Sequence, residues 1–219
     1  MNKGMKAIPR EPRRITYSSE IRKLKTIPLT KYQREIVIGS VLGDGYLVPN
    51  WSKTHYALRV TRSEKQKEYA DWQYENLKPF ALKPPRWYER NHSYTIGTIS
   101  HSEISKLYSI FYPKGKKIVP KLMEEYIKSP LVLAVWFMDD GNIVKSNNKP
   151  RGYHLNTQSF SFLENKRIVT LFEKMHGIHS NTEDNHGYFR IAIWQKESRE
   201  KFRELIKEFI IPSMQYKLG

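Results

Sequence analysis

Two stretches of the chain repeat one pattern: Val37-Ile38-Gly39-Ser40-Val41-Leu42-Gly43-Asp44-Gly45-Tyr46 and Leu133-Ala134-Val135-Trp136-Phe137-Met138-Asp139-Asp140-Gly141-Asn142. Each is an apolar run with a small residue near its start, closing on an acid followed by glycine. Glycine just past an apolar run marks a helix C-terminus. Both stretches therefore read as buried helices with a carboxylate in the last turn. The C-terminal end of a helix dipole disfavours negative charge by roughly 0.3–1 kcal/mol. Two such acids at matching places point to a cation beside them.

The repetition extends past these stretches. After each, the predicted order is two strands, helix, two strands, helix. Asp44 and Asp140 lie 96 positions apart, Leu58 and Leu155 97, Ile96 and Ile191 95, and Lys117 and Lys217 100. A near-constant offset is what a duplicated half predicts. The expected division is a basic arm over 1–29, a first half over 30–120 and a second over 121–219.

In the arm, eight basic residues stand against two acids, with Pro9, Pro12 and Pro28; at most a short helix is expected around Ser19 to Lys25. Thr30 reads as the N-cap of the first helix, through about Gly43. Strands are expected at Tyr46–Val48, His55–Arg62, Arg86–Arg90 and Ser93–Ile99, with helices over Glu64–Leu77 and Ser102–Phe111. In the second half Pro130 suits the first turn of its helix. A polar loop is expected from Gly141 through Arg151, then a strand at His154–Gln158, a helix over Phe162–Met175, strands at Ile178–Thr182 and Tyr188–Trp194, and a helix over Lys196–Phe209.

At 219 residues the chain has room for a substantial core. Lys and Arg number 38 against 22 Asp and Glu, a net charge of +16, so the natural partner is a polyanion. No apolar run approaches the roughly 20 residues of a spanning helix, and no signal-peptide pattern opens the chain. Cysteine is absent, which removes disulfides, thiolate zinc sites and cysteine nucleophiles. An intracellular setting is expected, a bacterial cytoplasm or nucleoid or an organelle matrix. Aromatics at 13% are too frequent for a disordered polycation.

Two like halves pack about a pseudo-twofold axis with like surfaces meeting. The most apolar helices belong at that junction. Gly39 and Gly43 permit close approach on the first, and Ala134 is the comparable small residue on the second. Asp44 and Asp140 then converge, and the strands form antiparallel sheets carrying Arg, Lys, Gln and Thr.

The paired stretches resemble the motifs of LAGLIDADG homing endonucleases, in particular the monomeric double-motif type. Leu155 to Phe160 and Ile211 to Lys217 add to the likeness, which covers about residues 30–219. The chain departs from the name-giving consensus at Ser40, Leu42, Trp136 and Met138, all on helix faces, and keeps the acids. The resemblance implies an α+β fold of two pseudo-symmetric αββαββα half-domains forming an antiparallel β-saddle over DNA. It implies cleavage of both strands of double-stranded DNA at a long asymmetric site, by a monomer using Mg²⁺, with Mn²⁺ substituting and Ca²⁺ supporting binding without cleavage.

Carboxylates that hold hard divalent ions suit that chemistry. Asp44 and Asp140 are the expected ligands, with the backbone carbonyls of Gly43 and Asp139 as further ones. The Asp139 side chain is read as a neighbouring hydrogen-bonding acid; a motif register shifted by one place is the alternative, and would make Asp139 the ligand in place of Asp140. Lys117 and Lys217 match the family's basic residues near the scissile phosphates. Arg59, Thr61, Arg62, Asn156 and Gln158 are the expected DNA-contacting residues of the strands. His176 and His179 read as a solvated turn rather than a metal pair. Intron RNA is the competing partner, through a splicing maturase on the same scaffold. A non-catalytic DNA-binding regulator is a third reading, disfavoured because a binder gains nothing from two carboxylates facing phosphates.

Overall fold

The computed structural model describes residues 18–219. Residues 1–17 of the basic arm lie outside the described residues, and its end forms helix α1 (Ser19–Leu24), capped by Ser18. Helix α2 (Lys31–Leu42) opens on a capping box: the Thr30 side chain accepts from Gln33 N, and the Gln33 side chain accepts from Thr30 N. Strands β1 (Tyr46–Pro49) and β2 (Tyr56–Ser63) follow, then a 3₁₀ turn at Glu64–Gln66 and helix α3 (Lys67–Asn76). Strands β3 (Arg86–Tyr88) and β4 (Ser93–Gly97) and helix α4 (Ser102–Phe111) complete the first half.

A short helix α5 (Met123–Ile127) leads to α6 (Pro130–Asp140), with Ser129 as N-cap and Pro130 at the first position. The second half repeats the order with β5 (Gly141–Ser146), β6 (Lys149–Leu155), α7 (Phe162–His176), β7 (Asn181–Asn185), β8 (Tyr188–Ile193) and α8 (Lys196–Ile206). The chain closes with 3₁₀ turns at Lys207–Phe209 and Pro212–Lys217.

The strands form two four-stranded antiparallel sheets of identical topology, β1-β2-β4-β3 and β5-β6-β8-β7. Strand β2 shows how each sheet is sided. Leu58, Val60 and Arg62 are buried beneath it, while Arg59, Thr61 and Ser63 lie on the open face. Two expectations fail here. The polar loop predicted after Gly141 is the β5–β6 hairpin, turned by Asn147 and Asn148 at φ 50° and 58°. Asparagine tolerates that left-handed conformation, which a two-residue hairpin needs. Strand β6 ends at Leu155, so Asn156 and Gln158 lie past it.

Both halves share one apolar core, and its centre is the crossing of α2 on α6. From Leu131 to Asp139 every residue of α6 is buried, as an all-round apolar helix must be. The glycines of α2 alone permit the close approach. A Cβ at Gly39 would lie 2.6 Å from the Val135 Cβ and 2.8 Å from the Val132 carbonyl, and one at Gly43 would lie 2.4 Å from the Asp139 Cβ. Ala134 is buried but is not among the nearest atoms to either glycine.

Glycine to alanine inside a helix is worth about 1 kcal/mol of propensity where space exists. At Gly39 the crossing overrides that gain. Gly39→Ala is expected to destabilise the chain by about 1–3 kcal/mol, read from the midpoint of urea unfolding; an unchanged or raised midpoint would show that the helices separate freely.

Candidate active site

The crossing brings the ends of α2 and α6 together, but the two acids are not equivalent. Helix α2 stops at Leu42 with Gly43 as its cap, so Asp44 stands just beyond the helix. Helix α6 runs on to Asp140 and is capped by Gly141. The cause is local: the position that is Gly43 in the first half is Asp139 in the second.

Asp139 has a side chain with no exposure, and its acceptors are occupied. Oδ1 accepts from Arg62 Nη2 at 2.5 Å and from the Tyr69 hydroxyl at 2.7 Å. Oδ2 accepts from the Asp44 N–H at 3.1 Å. This supports the reading of the Asp139 carboxylate as a hydrogen-bonding acid. Burial pushes it above the ordinary carboxylate range, opposed chiefly by Arg62.

Arg62 was expected to contact DNA, and its position corrects that. It is 1% exposed and points into the protein. Nη1 donates to Asp44 Oδ2 at 2.8 Å and Nε to Gln73 Oε1 at 3.1 Å, with the guanidinium 4.4 Å from the centre of the Tyr69 ring. Gln73 in turn donates to Ser40 Oγ on α2 at 3.1 Å. A buried guanidinium is tolerable only when its donors are matched. Here it ties the first half to Asp139 of the second.

Asp44 retains a side chain 46% exposed. Asp140 receives no side-chain hydrogen bond among the described residues. Burial, together with the charges of Asp44 and Asp139, pushes its carboxyl up to about 7. Its carbonyl accepts from the Asn156 N–H at 3.0 Å and Nδ2 at 2.7 Å, and that amide also reaches Asn142 Oδ1 at 3.1 Å. Asn156, expected on a strand, lies just past β6 and braces the end of α6. Gln158 is half-buried in the turn that follows.

The lysines are placed alike. Lys117 Nζ donates to the carbonyls of Leu42 (2.9 Å) and Gly43 (2.8 Å), and Lys217 Nζ to those of Met138 (2.5 Å) and Asp139 (3.0 Å). Each ammonium therefore occupies a helix C-terminus, where orphan carbonyls and the dipole favour a cation. Burial pulls both below the ordinary lysine value, and the aspartates oppose this; Asp140 is the first of them for Lys117.

The fit to a hard cation can be judged from these donors. Asp140 offers a carboxylate without a donor, Asp44 offers the oxygen that Arg62 leaves free, and both are oxygen ligands of the kind Mg²⁺ takes. Among the described residues no group of three or more His, Cys, Asp or Glu gathers into a metal cage. A cation at this place would therefore need carbonyl, water or substrate oxygens as well. His176, at the end of α7, donates from Nε2 to the Ile127 carbonyl at 2.8 Å, which occupies that ring nitrogen.

On the open face of the first sheet, Arg59 lies against Gly97 and beside Tyr46, and Thr61 Oγ1 is 3.2 Å from Thr95 Oγ1. Arg86 shares that face, opposite Thr95. In the second sheet Arg190 is held by Glu183, which also lies 3.4 Å from His154 Nε2. Sequence reasoning missed Arg86 and Arg190. The offset that pairs Ile96 with Ile191 sets Arg190 at the place of Thr95, the neighbour of Thr61, and this signal was available.

The profile of the LAGLIDADG DNA endonuclease family matches residues 34–202. A probable intron-encoded endonuclease 1 of Wickerhamomyces canadensis is 32% identical over 200 residues, covering 87% of this chain and 85% of that one. The cytochrome b mRNA maturase bI2 of Saccharomyces cerevisiae is 28% identical over 88% of this chain, which spans 48% of its length. Among solved structures, the homing endonuclease I-WcaI bound to its DNA recognition sequence superposes with a TM-score of 0.84 at 27% identity, covering 93% of both chains.

The environments of the two neighbouring acids predict opposite outcomes. The folded Asp140 carboxyl titrates near 7, above its unfolded value near 3.8, so folding binds a proton in between. Stability of the metal-free protein is lost as pH rises from about 4 to about 7. Asp140→Asn is expected to raise stability by roughly 2–4 kcal/mol at pH 8, with the gain fading below pH 5. Asp139→Asn removes the fully buried one of the two carboxylates that neutralise Arg62 and is expected to cost about 3–5 kcal/mol. Thermal melts in EDTA across that pH range check both; equal effects of the two substitutions would refute the distinction.

Proposed function

This chain belongs to the LAGLIDADG DNA endonuclease family, and we propose that it is a homing endonuclease that hydrolyses both strands of a long asymmetric DNA site. The observation that carries this reading is Asp140, a carboxylate beside Asp44 at a helix C-terminus without a hydrogen-bond donor of its own. A purely structural role leaves that arrangement unfavourable, whereas a divalent ion relieves it. What Mg²⁺ supplies when bound is a water of lowered pKa and charge neutralisation on phosphoryl oxygens.

The chain's own groups do the rest. Asp44 and Asp140 orient the ligand oxygens from two rigid helix ends. Arg62 fixes Asp44 from below, and Asn156 fixes the turn after Asp140. Lys117 and Lys217 hold positive charge beside the reacting phosphates, one at each motif helix. Arg59 and Thr61 reach DNA from the first sheet; Arg86 and Arg190 join them. Phosphate contacts made by a chain of net charge +16 make binding steeply salt-dependent. The protein acts as a monomer, since both halves lie in one chain, and Mn²⁺ replaces Mg²⁺ while Ca²⁺ supports binding alone.

Similarity to a cytochrome b mRNA maturase favours intron RNA as a second partner. The acids separate the two activities, because RNA binding does not need them.

Incubation with Mg²⁺ and a plasmid library of intron-insertion sites tests the reading. Asp44→Asn and Asp140→Asn are each expected to lower cleavage by orders of magnitude, with Ca²⁺-supported DNA binding held within a few-fold. Near wild-type cutting by either variant would remove that residue from the site.

A further inference from the structure

The segment that carries Lys117 belongs to the first half, yet the second half holds it. Glu164 Oε1 accepts from the Val119 N–H at 2.8 Å. Arg167 Nη1 donates to the Val119 carbonyl at 3.4 Å, and Nη2 donates to the carbonyls of Pro120 (2.7 Å) and Lys121. Both residues sit on α7. On the other side the Ile118 N–H donates to the Phe111 carbonyl at the end of α4. The Lys117 ammonium itself lies 5.5 Å from the centre of the Phe160 ring, another second-half residue.

Helix α7 is in turn tied to the acid of its own half. Asn165 Nδ2 donates to the carbonyls of Thr157 and Phe160, in the turn that begins at Asn156, and Asn156 braces Asp140. Hydrogen bonds joined by short main-chain steps therefore connect Asp140 through Asn156 and Thr157 to Asn165 on α7, and from Glu164 and Arg167 of that helix to residues 119–121 and Lys117, which ends on Gly43. The C-terminal turn bearing Lys217 likewise packs on α3 of the opposite half.

We propose that Arg167 and Glu164 are positioning residues that hold Lys117 at the end of the first motif helix. Neither reaches the reacting atoms; they act through the main chain of residues 119–121. A lysine stem is flexible, and a forked guanidinium spanning three carbonyls fixes the stretch from which the stem departs. The catalytic consequence rests on the role proposed for Lys117 above, and it is specific: because Lys117 and Lys217 serve different helix ends, losing the clamp slows one strand's cleavage and leaves the other.

The test uses the full chain carrying Arg167→Met, which keeps the stem and removes the fork. Amine acetylation followed by mass spectrometry reads where Lys117 sits, with Lys217 as reference. Lys117 modification is expected to rise roughly fivefold or more relative to Lys217, as local opening exposes it. On a duplex labelled on each strand, Arg167→Met is expected to slow the strand that Lys117→Met slows, so that nicked DNA accumulates, with the other strand within about twofold. Arg167→Lys is expected to recover part of both quantities, and it serves as the readable variant if Arg167→Met fails to fold. Unchanged Lys117 labelling, or equal slowing of both strands, overturns the proposal. A wild-type protein that cuts no DNA would overturn the nuclease reading instead, and the labelling would still decide the clamp.

Discussion

The close crossing of α2 on α6 governs the rest of the molecule. With glycine at 39 and 43, one helix backbone sits against Val132, Val135 and Asp139 of the other. That contact fuses two half-sized cores, neither large, into one. It also brings the buried Asp139 and the partly buried Asp140 close to the half-exposed Asp44, where the helix dipoles make matters worse. Everything else at the junction answers that problem. Arg62 neutralises Asp139 and Asp44 from beneath the sheet, and the two lysines cover the carbonyls that face outward.

A duplicated sequence has not given a symmetric site. The lysines are equivalent to the atom, each donating to the last carbonyls of its helix. The arginine is not: Val60 and Leu155 pair alike, with Ile96 and Ile191, so the place of Arg62 falls to the buried Thr157. Asp44 consequently has a built-in partner and Asp140 has none. The same chemical group thus sits in two electrostatic settings, and the one without a partner is the one whose proton affinity is raised to near neutrality. The halves thus differ in what supports the acids and agree in the acids themselves.

Features fixed by local chemistry were legible in the sequence. Thr30 and Gln33 form the capping box, Pro130 starts α6, and Gly177 stops α7 at φ 60°. The repeat offset carried the like order of elements in both halves, though not the order of strands within each sheet. Two things were hidden. The β5–β6 hairpin projects beyond the core, so Lys145, Ser146, Lys149, Pro150 and Arg151 are exposed on both faces and show no alternation. Its Asn-Asn turn also lacks the glycine that usually marks such hairpins. Arg62 did fall on the opposite alternation from Arg59, which places it under the sheet. What no local pattern reveals is that Asp44 and Asp139, 18 and 77 residues away, wait there to receive it.

The charge count of the junction connects its stability to its chemistry. Asp44, Asp139 and Asp140 face Arg62, Lys117 and Lys217, three against three. With all six ionised the cluster is neutral, and with Asp140 protonated it carries one positive charge. A DNA phosphate brought beside the fully ionised cluster adds a negative charge that these six groups do not balance. Because Asp139 is committed to Arg62 and the lysines to helix carbonyls, rearranging side chains cannot supply the missing charge without breaking the fold's own bonds. Under the proposed function it enters as a cation, at the open oxygens of Asp44 and Asp140.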